Sequence, residues 1–409
     1  MRALLVLAHA FPPTGGAGVQ RIAKFVKYLP AQGWWPTVVS APLGLYADRD
    51  ADLAADVPAG VRVVRTPSLE LPAGAVDALR LAGAGDDGPG AEGRRLGGRA
   101  GGAVLRRAAY AAYRALAIPD RHVGCVPFAV AAGLGLARLQ RFDAILATGN
   151  PFSAFVAARL LAAALRRPLV LDYRDAWTLN PYRQDRHTAR WRAEARLEAR
   201  FVALQNGYDP ADLAGIAPQP LRPFSVVYAG KFTPYRRPDT VLRATAALRA
   251  ARPDLAADLR LVFVGDLDAV ARALADALRL SPGVEWLGYR AHREALGYVL
   301  GAQALLLVGG GHRSEQTTKV FEYLAAGKPV LAVVPPDGAA ADVLRASPGG
   351  GYLAWPPTPA HVAVQLVRLL EQWRAGRLPA ASAAADEYAR PRLAARLAEL
   401  LERWADARS

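Results

Sequence analysis

The chain has 409 residues, 52% of them hydrophobic and 21% charged. That suggests two domains of roughly 150–200 residues each and excludes wholesale disorder. The formal charge of +15 calls for an anionic partner: nucleic acid, an acidic membrane surface or a phosphorylated substrate. A single cysteine, Cys125, excludes an intramolecular disulfide and a cysteine-based zinc site. The opening Met1–Ala8 is too short for a signal peptide and runs into Phe11-Pro12-Pro13. It reads instead as a buried first strand, Ala3–His9. Short apolar runs then alternate with amphipathic stretches, the mark of βα units on a parallel sheet. Val19–Leu29 reads as a helix, and Pro36–Ser40, Val61–Arg65, Ala144–Ala147 and Pro168–Leu171 as strands. Trp34-Trp35 reads as cover for the edge of the second strand.

Gly83 to Gly102 holds nine glycines in 20 residues and reads as a mobile loop. Ala103–Ala117 then reads as a helix whose arginines and tyrosines suit either a membrane interface or a packed surface helix. A second strand series begins at Phe224: Ser225–Tyr228, Leu259–Val264, Val284–Leu287, Ala304–Val308 and Pro329–Val334. Helices fit between these at Asp239–Ala251, Ala269–Leu278, Arg293–Leu300 and Thr318–Ala326. The expected domains are 1–217, with the mobile loop 83–102, then 218–385, then a C-terminal helix in 386–409 that packs back on the first domain. The Pro-rich Ala217-Pro218-Gln219-Pro220 marks the junction.

Three segments carry chemistry. The loop Phe11–Arg21 joins the first strand to a helix, and its Gly15, Gly16 and Gly18 let backbone N–H groups approach an anion. A tight structural turn accounts for it nearly as well. In Tyr228–Asp239 a strand ends, Lys231 and Arg237 follow, and a helix begins. These two cations could clamp a diphosphate as point charge and fork. In Ser314–Val330, preceded by the glycine-rich loop Gly309–Gly311, a helix runs until Gly327. The helix N-terminus offers free N–H groups, with Thr317, Thr318 and Lys319 adding donors. Glu322 is placed to accept hydrogen bonds from a ribose diol.

Taken together, these motifs resemble the family 4 glycosyltransferases of the GT-B fold, in the branch that builds bacterial surface polysaccharide. The resemblance rests on Phe11-Pro12-Pro13 with Gly15-Gly16, on Pro119-Asp120-Arg121, and on Asn150-Pro151-Phe152-Ser153. It continues through Asp172-Tyr173-Arg174-Asp175-Ala176-Trp177, Asn206-Gly207-Tyr208-Asp209, Gly230-Lys231 and Lys319–Val330. It implies two facing Rossmann-like doubly wound domains with a cleft between them. It also implies a nucleotide-sugar donor on the second domain, a glycan or lipid-linked acceptor on the first, and transfer with retention and no metal or other cofactor. By this resemblance Lys231 and Arg237 are catalytic, neutralising the leaving diphosphate. Gly15, Gly16, Ser314, Glu315, Thr317, Thr318, Lys319 and Glu322 bind the donor, and Arg174 and Asp175 face the acceptor.

Three departures stand out. The family's Glu-x7-Glu places its first glutamate at Ser314, with Glu315 one residue out of register. Arg174 replaces the His of a His-Asp pair. The chain also runs from Trp191–Arg200 to Asn206 almost directly, so the first sheet is expected to lack a strand. The first and last departures allow an alternative, a catalytically degenerate protein that binds nucleotide sugar without transfer.

Nucleic-acid binding rests on charge alone and lacks a motif. Nicotinamide chemistry fails on the broken Gly16-Ala17-Gly18 pattern. Asp48-Arg49-Asp50 and Asp266-Leu267-Asp268 fit DxD only by chance frequency, and His9 and His312 remain candidates for substrate contact. From Arg94 to His122, seven arginines against Asp120 alone give +6, a stretch suited to anionic lipid. The expected location is the cytoplasm, peripheral on the inner face of the plasma membrane.

Overall fold

The computed structural model describes residues 1–46, 49–69, 117–174, 192, 204–221, 223–233, 235–265, 268–315, 317–345, 351–379 and 383–406. The glycine-rich 83–102, the expected helix at 103–117 apart from its last residue, Asp175, and Asp266-Leu267 lie outside them. Contacts divide the chain into unit 1, Met1–Leu204 with Ala394–Ser409, and unit 2, Gln205–Leu393. The division therefore falls upstream of the Pro-rich 217–220.

Unit 1 is built on five parallel strands: β1 Arg2–Ala8, β2 Trp34–Ser40, β3 Arg62–Arg65, β4 Ala144–Gly149 and β5 Leu169–Tyr173. Their order is β3-β2-β1-β4-β5. Helices α1 Ala17–Tyr28, α2 Val126–Leu139 and α3 Ser153–Leu165 pack on it. Leu5, Leu7, Ile145 and Ala147 bury one face of the sheet against Leu136, Phe155 and Leu161. The second strand starts earlier than its sequence suggests. Trp34 and Trp35 belong to β2 rather than covering its edge, and Trp34 is fully buried. Pro36 is tolerated because β3 pairs only from Thr37 onward, so β2 is locally an edge there.

Unit 2 has six parallel strands: β6 Phe224–Ala229, β7 Leu259–Val264, β8 Val284–Gly288, β9 Ala304–Val308, β10 Val330–Val333 and β11 Gly351–Leu353. Their order is β11-β10-β9-β6-β7-β8. Its longer helices are α4 Asp239–Ala251, α5 Ala269–Ala277, α6 His292–Gly301, α7 Thr318–Ala325, α8 Ala339–Arg345 and α9 Pro359–Arg374. Helix α10 Arg390–Asp406 begins in unit 2 and groups with unit 1 from Ala394 onward.

Strand side chains alternate between two cores. Val226, Tyr228, Leu261, Phe263 and Leu306 face α4 and α9, where Leu242, Leu366 and Leu370 close the layer. Val227, Val262, Leu305 and Leu307 face α7 and α8, against Phe321 and Leu344. Both sheets reverse their strand order beside the first strand of the unit, between β1 and β4 and between β6 and β9. The crevice beyond the carboxyl ends of strands at such a reversal is where open α/β sheets bind ligands.

Candidate functional site

In unit 2 the reversal brings together the loop after β6 and the loop after β9. Gly230 follows β6, and its φ of 140° excludes a side chain without strain. Gly265 follows β7 at the same φ, and a Cβ there would lie 2.1 Å from the Gly230 carbonyl. Two bare glycines thus bring these strand ends into contact. Beyond Gly230, the Tyr228 hydroxyl donates to the Lys231 carbonyl at 3.0 Å. Phe232 stacks on the Tyr228 ring with centroids 4.4 Å apart. The Lys231 backbone is therefore fixed while its side chain is exposed.

Arg237 is held by two carboxylates. Its Nη1 donates to Asp268 at 3.1 Å and its Nε to Asp239 at 3.3 Å. Asp268 is occupied twice, since it also caps α5 by accepting from the Val270 and Ala271 N–H groups. Arg237 Nη2 is buried and has no hydrogen-bond partner among the described residues. Arg236 forms an ion pair with Glu315. The other Glu315 oxygen accepts from the Gly310 N–H at 2.5 Å, so this carboxylate pins the glycine-rich loop.

The register question at 314–315 has a geometric answer. Ser314 is exposed, whereas the Glu315 side chain is 8% exposed and lines a pocket with Gly309, His312, Thr317 and Pro335.

Helix α7 begins without a side-chain cap. Thr317 sits at the cap position in extended conformation, and its Oγ1 is buried with no partner among the described residues. Thr318 is tied back, its Oγ1 accepting from Asn206 Nδ2 at 3.0 Å. Asn206 in turn accepts from Arg390 at 2.6 Å. Lys319 rises from the first turn over the Tyr228 ring, with Nζ 4.0 Å from the centroid. A Cβ on Gly230 would lie 2.0 Å from that Nζ. This contact joins the two cationic motifs, which are 89 positions apart in sequence.

Burial lowers the Lys319 pKa to about 7; Glu322 opposes the shift and Arg236 adds to it. Burial also pushes the Glu322 carboxyl up. His292, Lys319 and Arg390 pull it back, while Asp212 reinforces the rise. Tyr323 anchors the helix, its hydroxyl accepting from the Ala229 N–H at 3.0 Å. Asp268, Arg236, His292 and Arg390 are the neighbours that motif reasoning missed. Only Asp268 carried a signal, as an Asp directly before a helix.

In unit 1 the corresponding reversal gathers His9, Gly15, Gly16 and Arg174. Gly16, at φ 109°, opens α1, and its carbonyl accepts from the Val19 N–H at 2.9 Å. Arg65 pins the preceding loop by donating to the Phe11 carbonyl at 3.2 Å and to the Pro12 carbonyl. Burial and nearby Arg49 lower the pKa of Arg65. Arg174 Nε donates to the Gly149 carbonyl at 2.6 Å, and its Nη2 to the Asn150 carbonyl. Its guanidinium packs where a side chain on Gly18 would stand. Arg174 thus braces the ends of β4 and α1. His9 Nδ1 meets the Tyr46 hydroxyl at 2.6 Å, and its ring lies 4.5 Å from that of His122.

Residues 223–372 match the family model described as glycosyl transferases group 1. Among solved structures, the chain is similar to sucrose-phosphate synthase from Thermosynechococcus elongatus, at 13% identity and TM-score 0.64, covering all of both chains. Anabaena HepE in complex with UDP-glucose is 16% identical with a TM-score of 0.58, covering 98% of this chain and 100% of that one. The apo lipopolysaccharide outer core galactosyltransferase WaaB is 11% identical with a TM-score of 0.54, covering 98% and 100%. No match was found among curated protein sequences. The likeness is one of fold: two parallel-sheet α/β domains matching GT-B glycosyltransferase structures.

Proposed function

We propose that the protein is a glycosyltransferase that moves a sugar from a nucleotide-sugar donor to a glycan or lipid-linked acceptor. One observation carries this reading. Within the segment matching group 1 glycosyl transferases, several anion-seeking donors stand on the loops that follow β6 and β9, the two strands at the strand-order reversal. They are the uncapped start of α7, the buried Thr317 Oγ1, Lys319 Nζ and the buried Arg237 Nη2. An uncapped helix N-terminus with such donors on it and on the neighbouring loop suits a diphosphate.

In this reading unit 2 holds the donor and unit 1 the acceptor. Gly15 and Gly16 close over the phosphates or the acceptor, and Arg174 and Asp175 stand on the acceptor side. Glu322 holds the ribose, and Glu315 replaces the glutamate absent at Ser314. The bond from the sugar's anomeric carbon to the diphosphate breaks, and its electrons go to the departing phosphate oxygen. The acceptor hydroxyl attacks the same face and gives its proton to that oxygen, so configuration is retained. Lys231, Arg237, Lys319 and the α7 N-terminus stabilise the developing charge in place of a metal.

Thermal-shift screening against nucleoside diphosphates and nucleotide sugars tests the reading: one base should raise Tm, and no shift with any of them would defeat it. Glu322→Ala is expected to weaken donor binding measured by calorimetry. A degenerate binder is motivated by Ser314 and by the direct run from Trp191–Arg200 to Asn206, and donor hydrolysis or transfer in an acceptor screen would exclude it.

The acceptor is proposed to belong to surface-polysaccharide synthesis, with residues 94–122 docking on anionic lipid at the inner membrane face. Liposome sedimentation that ignores anionic lipid content would remove the docking. Among the described residues no helix is long and apolar enough to cross a membrane.

A further inference from the structure

We propose that Lys319 is a proton-capturing partner of the donor diphosphate, standing over Tyr228 without a carboxylate of its own and taking up a proton as the diphosphate arrives. The proposal rests on the nucleotide-sugar reading above and adds to it a linkage between donor binding and protonation.

The geometry is specific. Lys319 Nζ lies 4.0 Å over the Tyr228 ring centroid and fills the space that Gly230 leaves open. Among the described residues no carboxylate stands within ion-pair distance of it. The groups facing it come from three elements. β6 supplies Tyr228, whose phenol burial keeps protonated. The loop after β6 supplies Arg236, already bridged to Glu315. Its own helix supplies Glu322, whose carboxyl burial pushes toward the neutral form, with His292, Asp212 and Arg390 behind it. The neighbourhood thus has cations and a self-neutralised pair but no settled anion for this ammonium. Its pKa of about 7 leaves it near half charge at neutral pH.

An opposite charge brought within ~4–6 Å moves a pKa by ~1–3 toward the charged form. A diphosphate at the start of α7 would therefore lift Lys319 clear of neutrality. A lysine that was only structural, packed on Tyr228 for its aliphatic stem, would exchange no proton on binding.

Isothermal titration of the intact protein with UDP, GDP and ADP at pH 8.0, in buffers of different ionisation enthalpy, reads the exchange directly. At that pH the terminal phosphates of these nucleotides are already ionised and contribute no uptake. The nucleotide that binds should bring in ~0.8 proton with the wild type. K319R, permanently charged, should bind it with uptake near zero. K319M should show no uptake and an affinity lower by roughly tenfold or more. If K319M does not fold, K319R against wild type carries the comparison. Binding by the wild type without uptake overturns the proposal, as does undiminished uptake in K319R. Failure of all three nucleotides to bind overturns the nucleotide-sugar reading and this proposal with it.

Discussion

At the scale of single residues, the donor side of the site turns on how each cation is held. Arg237 is oriented by Asp239 and Asp268, whereas the Lys231 backbone is held by the Tyr228 hydroxyl. Each is expected to stabilise charge that develops in the transition state. Lys231→Ala and Arg237→Ala should therefore each lower turnover by roughly 10²–10³-fold, measured with saturating donor; wild-type rates in both would remove the assignment.

Lys319 has a second consequence, visible without any ligand. Its folded pKa of about 7 lies below the ordinary 10.5. Between those values the unfolded chain holds a proton that the folded chain lacks. Stability therefore rises with pH across pH 7–10 and loses this dependence below 7. Urea melts of wild type and K319M at pH 7, 8 and 9 should diverge, with a wild-type excess slope of up to about 1.4 kcal/mol per pH unit. Parallel pH profiles would show that Lys319 is not desolvated in solution.

At the scale of elements, α1 and β5 are joined by a buried ion pair. Arg21 and Asp172 are 4% and 8% exposed, with Nη2 to Oδ1 at 2.8 Å. Asp172 also accepts from Thr148 Oγ1 at 2.9 Å, which links β4 to the same pair. Asp172→Ala would remove this carboxylate from the buried Arg21 guanidinium and is expected to cost about 3–5 kcal/mol. An unchanged urea midpoint would contradict this.

Element patterning is also where sequence and structure can best be compared. Leu259–Val264 and Ala304–Val308 were legible to the residue, because a short apolar run between turn signals fits little besides a buried strand. The start of β2 was not, because Pro36 reads as a strand edge while Trp34 is in fact buried core. β11, at three residues, is too short to show a period. Within the site, the cationic motifs and the helix start were legible because each is local. The Lys319–Gly230 contact was not, since only sheet order brings those positions together. That Glu315 rather than Ser314 lines the pocket follows from side-chain direction, which register counting along a glycine-rich loop cannot supply.

At the scale of the whole molecule, the charge of +15 resolves into parts. Lys231, Arg236, Arg237 and Lys319 cluster at one reversal of unit 2, and two of these arginines are already paired with carboxylates. In unit 1, Arg49, Arg65 and Arg174 are spent holding backbone carbonyls. Part of the basic excess is thus architectural, and the portion offered to a diphosphate is local.

Unit 1 is itself discontinuous, since Ala394–Ser409 group with it rather than with the adjoining unit 2. Leu397 and Leu401 on α10 are 3% and 0% exposed. Ending the chain after Leu393 is expected to lower stability by roughly 3–6 kcal/mol, from two buried leucines. Its denaturation curve should show the loss, and a melt matching the full chain would mean that the helix is dispensable.

That discontinuity sets an order of assembly. As the ribosome releases the chain, unit 2 has all its residues once Leu393 emerges, while the unit begun first is still missing a helix. The amino-terminal half is therefore expected to lack this helix through the synthesis of nearly two hundred further residues. A nick or premature stop near the carboxyl end would then injure the far end of the chain first, and leave the adjacent unit whole.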